Sequence, residues 1–231
     1  MRNHCGAKSL GGFKRPRCKV QGVWAFFFGV HMFVADAVMP HDASMTCEVI
    51  ARALEHCEEV ARRRGKVMPR EFVLWTDNTT RENKNSIVLK YLAVLVGRGA
   101  FQCTALLNPD MGHSHNILDQ CYGVIARSFQ YVDRLEDLDA VVEALRRILS
   151  RPALRQWFGE GVDVQVHALH GVRDWKGWLA ALDVKMEGAM RCSGSDWGFF
   201  AAFCSHTLEW RPAWRFCGMS RVLCTIRQLL R

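Results

Sequence analysis

The stretch that decides the fold is residues 71–119, which read EFVLWTDNTTRENKNSIVLKYLAVLVGRGAFQCTALLNPDMGHSHNILD. An apolar run at 72–75 predicts a strand, and apolar residues then recur with helical spacing over 87–96. Gly97 follows directly and predicts the end of that helix. A second apolar run at 101–107 predicts another strand. The stretch therefore predicts a β-α-β unit, and binding sites in open α/β sheets lie at the carboxyl ends of such strands.

Polar side chains gather where these two strands end. Asp77 and Asn78 close the first strand, a Glu-Asn-Lys-Asn cluster at 82–85 opens the helix, and Gly-His-Ser-His at 112–115 follows the second strand. By itself, Asp77-Asn78 suits a strand-end turn that bonds to its own backbone. The two histidines suit metal ligands, acid–base groups or phosphate contacts, or a loop pair bonded to backbone carbonyls.

Elements on either side of the central unit follow from the same periodicities. The sequence predicts two buried strands joined near Gly29, a long helix capped by Asp42 or Ser44, a half-buried strand and a short helix capped by Asp174. It also predicts a helix over 114–130 and another that starts at an Asp133–Glu136 capping box and stops at Pro152. The two buried strands span residues 20–28 and 30–38, and the long helix spans 45–64. The half-buried strand spans 162–168, and the short helix spans 175–182. No pattern predicts structure after Ser193.

Composition indicates a globular protein that carries an excess of positive charge. The chain has 231 residues, is 49% hydrophobic and 23% charged, and has a net charge of +8. These values suit one domain and are compatible with a nucleic-acid partner, although composition alone also explains them. Lys14, Arg15 and Arg17 lie in a basic arm at 1–19, which suits nucleic-acid contact, nuclear import or plain solvation. No apolar run reaches the roughly 18 residues of a membrane span.

The cysteines favour a reduced, intracellular protein. There are ten of them, and none form the C-x-x-C pairs that structural zinc sites use. Cys47, Cys57 and Cys121 fall on apolar helix faces, where a free cysteine behaves as a small hydrophobe. One alternative is a secreted cysteine-rich protein, because the apolar run at 23–34 follows a basic region and precedes Ala35-Asp36-Ala37, as in a signal peptide.

The central stretch resembles a family of transposon-derived eukaryotic proteins that carry a domain of unknown function. The family's D-N-x-x-x-E-N-K-N motif matches residues 77–85, and its G-H-T-H-E-D-I-D motif is similar to residues 112–119. The resemblance continues upstream through Arg15-Pro16-Arg17 and downstream through Asp174-Trp175-Lys176. It covers roughly residues 12–190, and the tail after about Ser193 does not follow the family.

This resemblance implies a ribonuclease H-like α/β fold, a mixed sheet flanked by helices, as in transposases and integrases. The family's first strand ends in an acidic segment, and residues 3–8 hold no carboxylate at that position. We therefore expect the N-terminal first strand to be missing. In this fold that strand lies between the strand at 20–28 and the strand at 72–75. The expected organisation is a basic arm at 1–19, a ribonuclease H-like domain at 20–192 and a divergent tail at 193–231.

The chemistry that the resemblance implies is phosphoryl transfer on DNA assisted by Mg²⁺ or Mn²⁺. Asp77 matches one catalytic metal ligand and Asp119 is the candidate for another, with His113 and His115 as further candidate ligands. Lys84 is a candidate phosphate contact beside the helix start. The family's other acids correspond here to Asn116 and Ile117, which supply no carboxylate, and the first acid is absent.

Two or fewer carboxylates leave a pair of divalent ions undercharged. The resemblance therefore implies a degenerate transposase-like domain with weak or no catalysis, and we expect an intracellular setting, with the nucleus as one candidate location. The main alternative is a non-catalytic nucleic-acid-binding module that uses Lys14, Arg15, Arg17 and Lys84. DNA is the expected partner, and no membrane is expected.

Overall fold

A computed structural model describes the chain from residue 18 to residue 204 with several gaps. The described residues are 18–77, 79–108, 117–132, 135, 137–159, 162–182, 190–194 and 198–204. Their elements, in chain order, are β1 (Cys18–Ala25), β2 (Gly29–Asp36), α1 (Ala43–Arg63), β3 (Glu71–Trp75), α2 (Ser86–Gly97), β4 (Cys103–Asn108), α3 (Ile117–Phe129), α4 (Leu138–Leu149), α5 (Pro152–Phe158), β5 (Asp163–Leu169), α6 (Trp175–Ala181), β6 (Met190–Gly194) and β7 (Gly198–Cys204).

The strands form two small mixed sheets. Sheet A has the order β1-β2-β5, with an antiparallel β1–β2 hairpin and a parallel β2–β5 pair. Sheet B has the order β3-β4-β7-β6, in which β3 and β4 are parallel and the remaining pairs are antiparallel. The mixed α/β class and the central β-α-β unit are therefore confirmed. The hairpin is also confirmed, although its turn lies at 26–28, just before Gly29.

Helix α1 is packed between the two sheets and joins their cores. Strand β2 is buried over residues 29–35, and its Phe33 and Ala35 pack against Met45 and Val49 of α1. The opposite face of β2, which includes Val30, packs with apolar residues of α3 and α4. Further residues of α1, including Cys47 and Ile50, pack with Leu74 of β3 and the apolar face of α2. One helix thus fixes sheet A relative to the β3-α2-β4 unit.

A buried carboxylate anchors the middle of α1. Glu48 is 0% exposed and accepts hydrogen bonds from Arg52 Nε at 2.7 Å, Arg173 Nε at 2.8 Å and Trp175 Nε1 at 2.8 Å. Burial would raise the pKa of Glu48, but these donors outweigh it and lower the pKa to about 2. The carboxylate therefore stays ionised and ties the start of α6 to α1.

Local caps explain several helix boundaries. Asp42 Oδ1 accepts from Ser44 N at 2.9 Å at the start of α1, which decides between the two predicted caps. The predicted Asp174 cap of α6 is confirmed by its bond to Gly177 N. For α4 the prediction was wrong, because Asp137 caps the helix through Ala140 N at 2.7 Å. Asp133 and Glu136 lie outside the described residues.

Several elements were not predicted. Helix α5 starts immediately after the expected stop at Pro152, because proline at the first helical position is compatible with a new helix. Strands β6 and β7 lie where no pattern predicted structure, and β7 pairs with β4 along 103–108. The prediction that Cys47, Cys57 and Cys121 lie on apolar helix faces is confirmed, since all three are unpaired and at most 2% exposed.

Candidate functional site

Asp77 organises the loop that follows β3. Its Oδ1 accepts three hydrogen bonds, from Thr79 N at 3.1 Å, Thr79 Oγ1 at 2.6 Å and Asn83 Nδ2 at 2.6 Å. We call residues 76, 77 and 79–85 the Asp77 loop. The arrangement is the strand-end turn that the sequence offered as one reading of this residue. One carboxylate oxygen therefore holds the loop in its present shape.

The Asp77 loop is tied to its neighbours by polar contacts. Asn108 Nδ2, at the end of β4, donates to Thr76 Oγ1 at 2.7 Å and to Asp77 O at 2.8 Å. From the beginning of α1, Thr46 Oγ1 donates to Asn83 Oδ1 at 3.2 Å. The loop thus lies at the carboxyl ends of β3 and β4, as expected for a site in an open α/β sheet, and beside the amino end of α1.

The acidic side chains Asp77 and Glu82 of the Asp77 loop both have partners within the protein. His41 Nδ1, before α1, lies 2.8 Å from Glu82 Oε1. Burial acts to raise the pKa of Asp77, but hydrogen bonds from Thr79 and Asn83, together with the nearby His41, lower it. The carboxylate is therefore ionised at neutral pH, and its charge is held by donors of the protein itself.

The start of α2 is capped as well. Asn85 Oδ1 accepts from Ile87 N at 3.0 Å and from Val88 N at 3.1 Å. These are two of the backbone N–H groups that a phosphate at this helix start would use. Lys84, the predicted phosphate contact, is half-buried in the preceding turn.

The other predicted site residues are distributed differently. Asp119 is exposed in the first turn of α3, and α3 packs on sheet A, whereas Asp77 follows a strand of sheet B. Five predicted residues lie outside the described residues, namely His113, His115, Lys14, Arg15 and Arg17. The roles assigned to these residues stay predictions.

The described residues do not fit a two-metal centre. Over the described ranges, no group of three or more His, Cys, Asp or Glu side chains is arranged to hold a metal ion. Mg²⁺ needs hard oxygen ligands in near-octahedral geometry, and Asp77 already spends one oxygen on three internal donors. We therefore derive no catalytic step through a metal at the Asp77 loop.

Sequence reasoning missed a basic pocket at the other end of α1. Arg63 and Arg64 from the end of α1, Arg155 from α5 and Asp163 from β5 line a cavity of about 800 Å³. In the sequence, the run Arg62-Arg63-Arg64 is typical of a helix C-terminal end, where basic side chains interact favourably with the helix dipole. The repeated arginines at the end of this helix were the available sign of a basic site. The third arginine of the pocket, Arg155, is distant in the sequence.

A buried histidine cluster was also missed. His31 of β2 is 0% exposed, with its Nδ1 3.5 Å from Nε2 of His167 on β5 and its ring centre 4.9 Å from that of His56 on α1. Burial, helped by the two neighbouring histidines, lowers the pKa of His31 to about 4. His56 Nε2 lies 3.5 Å from Asp163 Oδ2, which connects this cluster to the basic pocket.

Comparison with known proteins assigns the chain to a family. The sequence model of the family described as a domain of unknown function (DUF7869) matches residues 9–193, so the chain belongs to that family. This confirms the predicted membership of a domain-of-unknown-function family over most of the chain. No curated protein and no solved structure matches. Along the described segments, no helix combines the length and the apolar character that crossing a bilayer requires.

Proposed function

We propose that this chain is a nucleic-acid-binding domain of ribonuclease H-like architecture that does not catalyse phosphoryl transfer. The observation that carries the proposal is the state of Asp77. Its Oδ1 accepts three hydrogen bonds from its own loop. Among the described residues, no three or more His, Cys, Asp or Glu side chains are grouped so that they could hold a metal ion. A carboxylate in this state stabilises a loop and is poorly placed to hold a divalent ion.

The topology supports the architecture that we propose. An antiparallel hairpin, β1–β2, precedes a parallel β3-α2-β4 unit, which is the order that a ribonuclease H-like fold has after its first strand. Within the described residues, β1 and β3 are both end strands of their sheets. These are the two strands that would flank the first strand of that fold. The proposal therefore includes a degenerate, transposon-derived ancestry, which the order of the family motifs also favours.

Charge supports a nucleic-acid partner. The chain carries 31 basic and 23 acidic residues, and no acidic residue precedes Asp36. Among the described residues, three arginines line one pocket with a single carboxylate. Phosphate backbones are bound mainly by such cationic groups, which release counterions on binding. An intracellular, nuclear location is part of the same proposal.

A second candidate function is metal-dependent cleavage or transfer of DNA strands. It is favoured by one observation, the position of Asp77 at the carboxyl end of β3 beside Asn108. Under this alternative the Asp77 loop would open and release its carboxylate to Mg²⁺ or Mn²⁺. Asp119 would then have to reach the same site from α3.

One paired assay separates the two candidates. The purified chain is titrated with labelled DNA at several salt concentrations, and the same preparation is incubated with DNA and Mg²⁺ or Mn²⁺. We expect binding that weakens linearly in log Kd against log salt, and no cleavage. Metal-dependent cleavage that Asp77→Asn abolishes would overturn the proposal in favour of the second candidate, and absence of binding at low salt would overturn both.

A further inference from the structure

The basic pocket lies far from the Asp77 loop, at the opposite end of α1. The helix has 21 residues, which corresponds to a length of about 30 Å. Thr46, near its beginning, contacts the Asp77 loop, whereas Arg63 and Arg64, at its end, line the pocket. A ligand in this pocket therefore occupies a site separate from the family's motif residues.

Among its described lining residues, the pocket has more positive than negative charge. Asp163 is its only charged lining residue besides the three arginines, among the residues that the structure describes. The Asp163 carboxylate is already used, because Oδ2 accepts from Gln165 Nε2 at 2.8 Å and lies 3.5 Å from His56 Nε2. Among these residues the arginines outnumber the acid, whose charge is stabilised by Gln165, by His56 and by the nearby Arg63.

The arginines present donors around the cavity from two elements. Arg63 has a side chain that is 56% exposed, and its nearest acidic contact is a long one, with Nε 3.9 Å from Glu59 Oε1. Arg155 donates through Nη1 to Val162 O at 3.1 Å, which uses one of the five donors of its guanidinium. Guanidiniums held in this way suit the bidentate recognition of phosphate oxygens.

An exposed aromatic residue lies beside the pocket in a conformation that glycine would favour. Phe27 has φ of 69° and is 53% exposed, in a turn closed by a 3.0 Å bond from Phe28 N to Ala25 O. Arg64 Nη1 donates to Phe27 O at 2.7 Å and so links this turn to the pocket. A bulky residue at positive φ is uncommon and costs free energy. Turn geometry therefore does not explain why this position carries an aromatic ring.

We infer that Arg63, Arg64, Arg155 and the Phe27 ring form a docking site for single-stranded nucleic acid. The guanidiniums bind backbone phosphates in the pocket, and the exposed ring of Phe27 stacks on an adjacent base. Cationic grooves flanked by aromatic rings bind single strands in this way, because an unpaired base offers its face for stacking. The inference rests on the proposed nucleic-acid-binding function and adds the surface and the kind of strand.

The test measures fluorescence anisotropy with a labelled single-stranded oligothymidylate of about twelve nucleotides. The pocket variant is Arg63→Ala/Arg155→Ala. Its matched control is Arg81→Ala/Arg127→Ala, which removes the same two charges from exposed positions on the Asp77 loop and α3. Thermal unfolding of both variants checks that each is folded.

We expect the pocket variant to bind about tenfold more weakly than the wild type and the control to change less than twofold. Phe27→Gly should weaken oligonucleotide binding about threefold or more while leaving the binding of inorganic polyphosphate unchanged. Equal effects of pocket variant and control would overturn the pocket as the site. Polyphosphate binding as tight as that of the oligonucleotide, with no effect of Phe27→Gly, would overturn nucleic acid as the ligand.

The same data separate this inference from the proposed function. If the wild type binds the oligonucleotide and the pocket variant binds it equally well, nucleic-acid binding stands and the pocket is not its site. If the wild type does not bind at low salt, the proposed function fails and the inference fails with it.

Discussion

The two ends of α1 carry polar groups in opposite states. At its beginning, Asp77 is hydrogen-bonded by its own loop and His41 contacts Glu82. At its end, three arginines share one cavity with a carboxylate that is bound elsewhere. In the first arrangement the carboxylate is hydrogen-bonded by its own loop, whereas in the second, basic groups outnumber acidic ones among the described lining residues. A cluster of polar residues in the sequence therefore does not by itself indicate a binding site. The balance of charges and of hydrogen-bond donors and acceptors in the folded chain is the better guide.

The difference has an energetic consequence for ligand binding. A metal or phosphate at the Asp77 loop must first displace hydrogen bonds that each contribute about 1 kcal/mol net, and more where a charge is involved. An anion at the pocket end meets three arginines, which outnumber the single carboxylate among the described lining residues. We therefore expect the residues at the beginning of α1 to stabilise the fold and those at its end to bind a ligand.

The largest effect should follow from removing the anchor between the two ends. We predict that Glu48→Ala destabilises the protein by about 3–5 kcal/mol, because Arg52, Arg173 and the Trp175 N–H lose a fully buried partner. Urea unfolding gives the free energy of unfolding directly. Glu58→Ala, which removes an exposed carboxylate from the same helix, is the control and should change it by less than about 0.5 kcal/mol. A similar loss in both variants would contradict the anchoring role.

The histidine cluster should make stability depend on pH near the pocket end. The folded pKa of His31 is about 4 and the unfolded value is 6.5, so the unfolded chain binds more protons between these values. The contribution of His31 to the free energy of unfolding is therefore fully present above pH 6.5. It falls by roughly 2–3 kcal/mol as the pH is lowered towards 4.

Several charged groups around the cluster are part of this titration. His56 and His167 face His31 directly and lower its pKa, whereas the carboxylate of Asp163 acts to raise it. Arg52 and Arg146 lower the pKa of His167. Urea unfolding at half-unit pH steps measures the slope, and His31→Phe should flatten it. The exposed His170→Gln serves as control. A wild-type slope that His31→Phe leaves intact would show that other groups cause the acid sensitivity.

At the other end of α1, Asp77→Ala should act on stability and not on binding. Three hydrogen bonds within the loop are lost, so we predict a decrease of about 1–2 kcal/mol in the free energy of unfolding. Asp77→Asn keeps an acceptor at Oδ1 and should cost less. The affinity for the oligonucleotide should stay within twofold in both variants. A stability unchanged in Asp77→Ala would remove the structural role assigned to this carboxylate.

The smallest effect concerns the backbone at Phe27. Glycine adopts φ of 69° without strain, so we predict that Phe27→Gly leaves the free energy of unfolding unchanged or raises it by up to about 1 kcal/mol. Thermal and urea unfolding measure the change. Clear destabilisation would mean that the Phe27 ring contributes to folding. Stacking on a base would then not be needed to explain why Phe27 is present.

Local patterns in the sequence predicted much of the fold because they are short-range. The spacing of apolar residues gave the β3-α2-β4 unit and the β1–β2 hairpin, and single side chains gave the caps at Asp42 and Asp174. Pairing between distant segments was out of reach. The parallel contact of β2 with β5 and the addition of β7 to β4 depend on tertiary packing, which no local period encodes.

The candidate sites show the same limit. The sequence identified Asp77 and left its two interpretations open, and the contacts of Asp77 with Thr79 and Asn83 become visible only in the folded chain. The pocket combines arginines from the end of α1 with Arg155 of α5, and these elements meet only in the folded chain. Sequence reasoning therefore found the residues with a family motif and missed those with an unbalanced charge.

The most direct test of the account compares the two ends of α1 in one binding experiment. The Kd of the labelled single-stranded oligonucleotide is measured at one low salt concentration for the wild type, Arg63→Ala/Arg155→Ala and Asp77→Ala. The account predicts about a tenfold loss of affinity in the arginine variant and a change of less than twofold in Asp77→Ala. A loss in folded Asp77→Ala together with unchanged binding in the arginine variant would contradict it.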